Sequence, residues 1–427
     1  MRTWILGAFC LAGCFGDSST DTPHPPATND PAFTSQGLKG WYLVGDDARP
    51  GENQLTFSIT APSGTDTVDA YIPGMAPVRM TKQDGRFAMD ISIANLAIGS
   101  YDVLFARAGA DDAFAKFTLN RSAAYYVLVS TDYDFSDPGN GSLTYMDKLH
   151  ADHPGMIITH FWAPYTYTDP DVTATRRDEL DAWIKTQRDT FHDEIGLHIH
   201  PYCNFVVDAG VTCVTDQSTV YATDLSGYTI KLGAYGHDNM SILLQHAQQI
   251  FNGRGLGTPK TFRAGGWTAD INTLHALDDN GFIADTSALN WARIEEWGRY
   301  ELYAWTMAHW APIGDTSQPY YPSNTDPVAS VPGADMAMLE VPDNGVMIDY
   351  VSLEEMNGIF DANFSGAPLA MPTTLMMGFH PATQFSAGEY ANVDGFLKYA
   401  DQHLAAKGDG PVVYISLSDV TKAFPSQ

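Results

Sequence analysis

Beyond Ser122 the chain repeats one grammar: a short, nearly continuous apolar run, then a longer stretch whose apolar residues recur at helical spacing. The runs lie at 125–130, 156–161, 195–199, 282–284, 336–341, 375–379 and 412–416, and a further strand ends near 262. Between them, 176–190 brings Leu180, Trp183 and Ile184 to one face. The stretch 241–251 does the same with Leu244, Ala247 and Phe251, and 393–404 with Val393, Phe396, Ala400 and Leu404. A strand apolar on both sides has to be covered on both sides, and interleaved helices provide that cover for a parallel sheet. About seven such units predict an α/β fold, a closed or incomplete β/α barrel over 122–427. In that architecture the polar residues that do chemistry lie at the C-terminal ends of strands.

Five of those ends carry polar groups. The first run leads into Thr131-Asp132-Tyr133-Asp134, and a later one passes through Glu194-Ile195-Gly196-Leu197-His198-Ile199-His200-Pro201. Others end in Phe262-Arg263-Ala264-Gly265-Gly266-Trp267, in Asp285-Thr286-Ser287 and in Gly378-Phe379-His380-Pro381. Residues i and i+2 of a strand point to the same side, so His198 and His200 can converge on one ion; Asp132 and Asp134 share that relation. Two imidazoles and one carboxylate form a three-ligand catalytic zinc set with a position left for water. Such a metal acidifies water and polarises a carbonyl, and a second carboxylate can take the proton. Singly, each feature is ordinary: an Asp-x-Asp is usually a turn, and a His-x-His pair is usually two satisfied core histidines. Their order at successive strand ends is what points to a metal site.

That order resembles the polysaccharide deacetylase family with the NodB homology domain, the family-4 carbohydrate esterases and relatives. STDYD at 130–134 matches its first motif, EIGLHIHP at 194–201 the start of its second, and FRAGGW at 262–267 its third. The resemblance implies Asp132 as catalytic base, Asp134 and His198 as metal ligands, and Arg263 as the residue that orients Asp132. It further implies Asp285 as the aspartate of the fourth motif and His380 as general acid. The family spaces its second-motif histidines at i and i+4, but that position here is Tyr202. Either His200 takes the role through strand geometry, or 203–236 is an insertion and His237, ahead of a helix, supplies the second imidazole. Trp267, four residues after the motif arginine, is the one aromatic assigned a sugar contact; His192, His246, His275 and His309 are assigned no role.

The implied activity is removal of N-acetyl groups from a cell-envelope or extracellular glycan, an N-acetylated polysaccharide or peptidoglycan, with a divalent metal, zinc by default. Two alternatives stay open: a non-catalytic glycan-binding protein on the same fold, and a metal hydrolase of another amide or ester.

Ahead of the barrel, 37–121 reads as β-structure. Alternating segments at 54–60, 67–72, 86–93, 101–108 and 113–119 are separated by turn residues and suggest a small immunoglobulin-like sandwich, a spacer or carbohydrate-binding module. Residues 15–36 are rich in Ser, Thr, Asp and Pro, as in a flexible tether. Met1-Arg2, the apolar stretch 4–9 and Leu11-Ala12-Gly13-Cys14 resemble the signal and lipobox of bacterial lipoproteins. This implies removal of 1–13 and a lipid on Cys14, which would hold the chain at the cell envelope. Phe15 is no inner-membrane retention signal, which favours the outer membrane. Cys203 and Cys213 remain, an even pair expected to close a disulfide in an exported protein. With 51 acidic against 23 basic residues and a net charge of −28, nucleic acid is excluded as a partner, and membrane attachment would need the lipid.

Overall fold

The computed structural model describes residues 22–216, 221–222, 226–297, 300–381 and 385–426; the leader, Cys14 and the start of the tether lie outside the described residues. Two compact units divide the chain. One holds residues up to 38 with 54–92 and 101–119; the other holds 39–53, 93–100 and 120–427. The expected boundary near 121 is therefore not a single cut, because two short segments ahead of it belong with the larger unit.

The first nine strands are β1 (Ser35–Gln36), β2 (Trp41–Leu43), β3 (Gln54–Ile59), β4 (Val68–Tyr71), β5 (Val78–Arg79), β6 (Thr81–Gln83), β7 (Arg86–Ser92), β8 (Gly99–Arg107) and β9 (Ala113–Ser122). They make one sheet in the order β1-β3-β7-β6 and another in the order β9-β8-β4-β5, which β2 joins by pairing parallel to the end of β9. In β3, Leu55, Phe57 and Ile59 are buried while Gln54 and Thr56 are exposed, the period-two pattern of a half-buried strand. Phe57 meets Phe105 of β8, with ring centroids 5.8 Å apart. Residues 24–36, expected as part of a flexible tether, are largely exposed but tied down at several points. His24 exchanges backbone hydrogen bonds with Asp111 and Ala113, and Phe33 stacks on Phe105. One phenylalanine in a polar stretch gave those residues something to bury.

The larger unit carries β10 (Tyr125–Asp132), β11 (Ile158–Trp162), β12 (Glu194–Ile199), β13 (Thr261–Ala264), β14 (Ala284–Asp285), β15 (Leu339–Glu340), β16 (Thr373–Phe379) and β17 (Val412–Tyr414). Every pairing among them is parallel, in the order β15-β14-β13-β12-β11-β10-β16, with β17 alongside the start of β10. All eight residues of β10 are buried, as a central parallel strand requires. The helices of this unit are α1 (Gly139–Asp152), α2 (Ala174–Thr186), α3 (Cys203–Asp208), α4 (Gly236–Arg254), α5 (Ile271–Asp279), α6 (Tyr300–His309), α7 (Leu353–Asn363), α8 (Ala387–Ala400) and α9 (Leu417–Val420). Capping boxes, Ser352 with Glu355 and Ser386 with Glu389, fix the starts of α7 and α8.

Past β15 the chain leaves regular structure and runs beside β16. Gly345 N–H donates to Met376, Ile348 N–H to Gly378, and Gly378 N–H to Val346. An irregular seam thus carries the sheet from β15 round to β16. Among the described residues no helix is long and apolar enough to cross a membrane.

Candidate metal centre

Parallel order puts all the C-terminal strand ends on one side, and there β10, β12 and β16 bring one aspartate and three histidines to a single cleft. Asp134, two residues past β10, presents Oδ1 at 3.2 Å from His198 Nε2, 3.3 Å from His200 Nε2 and 3.8 Å from His380 Nε2. Ring orientation follows from the other nitrogens. His198 Nδ1 is 2.9 Å from the Arg263 carbonyl, and His200 Nδ1 is 2.6 Å from the Tyr228 carbonyl. A carbonyl only accepts, so each Nδ1 carries a proton, and in the neutral imidazole that leaves each Nε2 a lone pair toward Asp134. In that neutral form two lone pairs face a carboxylate, a repulsion that protonation of the rings or a bound cation relieves. The spacing suits one: bonds of about 2.05 Å in a tetrahedron place ligand atoms roughly 3.3 Å apart. Asp134, His198 and His200 are the one such group among the described residues. Burial acts to raise the Asp134 pKa, but the His380 and His200 charges and the two histidine contacts hold it well below the usual carboxylate range.

Asp132, at the end of β10, lines the same cleft. Arg263, fully buried on β13, donates through Nη1 to Asp132 Oδ1 at 2.9 Å, and its Nη2 lies 3.6 Å from Asp343. Trp267 lines the cleft, yet its ring is 3% exposed and Nε1 donates to Asp343 at 2.8 Å. It is a wall held from behind rather than an open platform. Gly265 and Gly266 let this turn come close: a Cβ on Gly265 would lie 2.6 Å from the His200 ring, and Gly266 has φ +59°. His380, just past β16, is held through Nδ1 by Asp349 at 2.7 Å. Burial alone would lower its pKa, but the charges of Asp349 and Asp134 push it up to about 10.

Two expected residues are not brought in. Asp285 is buried inside the barrel, accepts from Ser287 Oγ at 2.8 Å and faces Glu340. It is not among the residues that line the cleft. His237 is half-exposed at the start of α4, between Asp238 and Asp279 at 2.9 and 3.0 Å. It is His200, by the strand relation, that lies beside Asp134. Cys203 and Cys213 are joined in a disulfide. The residues that reading of strand ends missed are Asp343, Asp349 and Tyr350 on the seam, and Tyr228 on the segment before α4. The run of polar residues in VPDNGVMIDY, directly after an apolar strand, was the available signal for the first three.

No protein-family model matches the chain, and no curated protein matches its sequence. Solved structures are similar to it in part. A protein described as a probable polysaccharide deacetylase from Pseudomonas aeruginosa PAO1 is 13% identical over 70% of this chain and 90% of its own, with a TM-score of 0.42. The family 4 carbohydrate esterase from Streptomyces lividans, in complex with acetate, is 12% identical over 70% and 96%, with a TM-score of 0.36. A family 4 acetyl xylan esterase from Clostridium thermocellum, in complex with a cobalt ion, is 10% identical over 69% and 89%, with a TM-score of 0.33. Likeness of this degree bears on neither reaction nor substrate, so what the chain does rests on its own cleft.

Proposed function

We propose that this protein is a metal-dependent amide hydrolase of the polysaccharide deacetylase kind, which removes acetyl groups from an N-acetylated glycan of the cell envelope or its surroundings. One observation carries the reading: three metal-binding atoms within 4.8 Å of one another, in a cleft that a second carboxylate and a third histidine also line. A divalent ion bound by Asp134, His198 and His200, with zinc the default, would supply Lewis-acid polarisation of the acetyl carbonyl and acidify water. Asp132, oriented by Arg263, takes the proton of the attacking water. His380, its Nδ1 fixed by Asp349 and its Nε2 toward the cleft, gives a proton to the departing amine. Trp267 and Tyr350 wall the cleft and shield the acetyl group from bulk water. In this reading Asp285 has no contact with substrate. We further propose attachment through a lipid on Cys14, with the outer membrane favoured.

Metal content of the purified chain, combined with acetate release from chitooligosaccharide, peptidoglycan and an acetylated exopolysaccharide, tests the reading. Bound zinc and acetate release that are both lost in Asp134→Ala and His198→Ala are expected. Bound metal with no acetate from any of the three would overturn the deacetylase and leave a glycan-binding protein or a hydrolase of another amide or ester.

A further inference from the structure

Tyr228 touches two of the three prospective metal ligands with two different groups. Its backbone carbonyl accepts from His200 Nδ1 at 2.6 Å, and its hydroxyl donates to Asp134 Oδ2 at 2.7 Å. The ring itself lies against His200, centroids 4.4 Å apart, and stacks on Tyr202 at 5.7 Å.

The segment that carries it is tied to the strand end it serves. Cys203 N–H donates to the Ser226 carbonyl at 2.8 Å, next to the disulfide, and Tyr221 N–H donates to Thr229 at 3.0 Å. Gly227, at φ +104°, runs so close to the β12 exit that a Cβ would sit 2.2 Å from the Pro201 carbonyl. Only glycine permits that approach. Nothing in the strand-end pattern assigns these residues.

We propose that Tyr228 is the positioning residue of the metal centre, setting the proton on His200 with its carbonyl and the orientation of Asp134 with its hydroxyl. The inference rests on the metal reading of the cleft. With Oδ2 engaged, Asp134 offers the ion its Oδ1, the oxygen that faces both imidazoles. The hydroxyl and the carbonyl are separable by mutation: Tyr228→Phe removes the first and keeps the second, whereas Gly227→Val displaces both.

Zinc affinity of the full chain, stripped with a chelator and titrated against a chromophoric competitor, tests this without any substrate. Outer partners of metal ligands typically contribute 10–100-fold in affinity. Tyr228→Phe is expected to weaken zinc about tenfold with unchanged near-ultraviolet dichroism, and Gly227→Val about 100-fold. A folded Tyr228→Phe that binds zinc as tightly as the wild type overturns this inference alone. A wild-type chain that takes up neither zinc nor cobalt overturns it together with the metal reading.

Discussion

Among the described residues of the barrel, one aspartate meets two histidines in the cleft and another does so in the interior, with opposite arrangements of the rings. In the cleft, His198 and His200 point Nε2 at Asp134 from 3.2 and 3.3 Å. In the interior, His150 and His160 point Nε2 at Asp193 Oδ2 from 2.7 and 2.9 Å, all three sealed from solvent. There the carboxylate accepts, so each Nε2 carries a proton, and His160 Nδ1 can accept from Tyr133 at 3.0 Å. Asp193 Oδ1 accepts from Ile158 N–H. In the interior trio both Nε2 atoms donate to the aspartate, whereas in the cleft trio the protons fixed by carbonyls lie on the Nδ1 atoms, away from it. Composition is identical, and the carbonyls of Arg263 and Tyr228 make the difference by claiming the opposite ring nitrogen. A metal site is thus defined by which nitrogen its neighbours leave free.

The contrast can be broken most severely at the ligands. Asp134→Ala or His198→Ala is expected to abolish stoichiometric zinc uptake, measured by elemental analysis after dialysis; retained stoichiometry would show that the cleft trio is not the binding set. Next, Asp132→Asn should keep the metal and lower the rate of acetate release about 10²–10⁴-fold. The interior trio predicts the reverse pattern. Asp193→Ala leaves two buried imidazoles without their carboxylate and should lose about 3–5 kcal/mol in urea unfolding, while zinc stoichiometry stays at the wild-type value. Metal lost in that variant would mean the trios are not independent.

The smallest effect concerns the buried carboxyl pair. Burial foremost pushes Asp285 up to about 6 and raises Glu340, to which the charge of Asp285 adds. Carboxyls whose pKa is raised on folding give stability that is complete below the unfolded value near 4 and is lost as pH rises through the folded values. Glu340→Gln should therefore gain roughly 1–3 kcal/mol on the wild type at pH 8 and nothing at pH 4. Parallel pH profiles for the two proteins would remove the pair from the account.

Much of the barrel was legible because its strands are apolar on both faces: β10, β11, β12 and β16 fall within a few residues of the expected runs. Asp132, Asp134, His198, Arg263 and His380 were placed on one face by the same logic. The seam was illegible because it has no period; Asp343 and Asp349 follow β15 on irregular backbone. Tyr228 gave no signal either, since it reaches Asp134 across more than 90 residues of chain from a segment without strand or helix. Asp285 was misplaced by the assumption that every motif aspartate clears its strand. Residues 24–36 were read from composition, which cannot see a single anchoring ring.

The seam between β15 and β16 has a consequence for how such a cleft changes over generations. Asp349 and Tyr350, which face His380, hang from a run tied to β16 by a few backbone hydrogen bonds rather than by a strand register. A one-residue slip in a strand would turn every side chain to its other face, but a residue gained or lost after Ile348 would not. Descendants of this chain can therefore trade the partner of His380, and with it the acid strength on offer, while the five strand ends stay as they are. That stretch, held by isolated bridges and not by a continuous ladder, is where a lineage can vary without refolding.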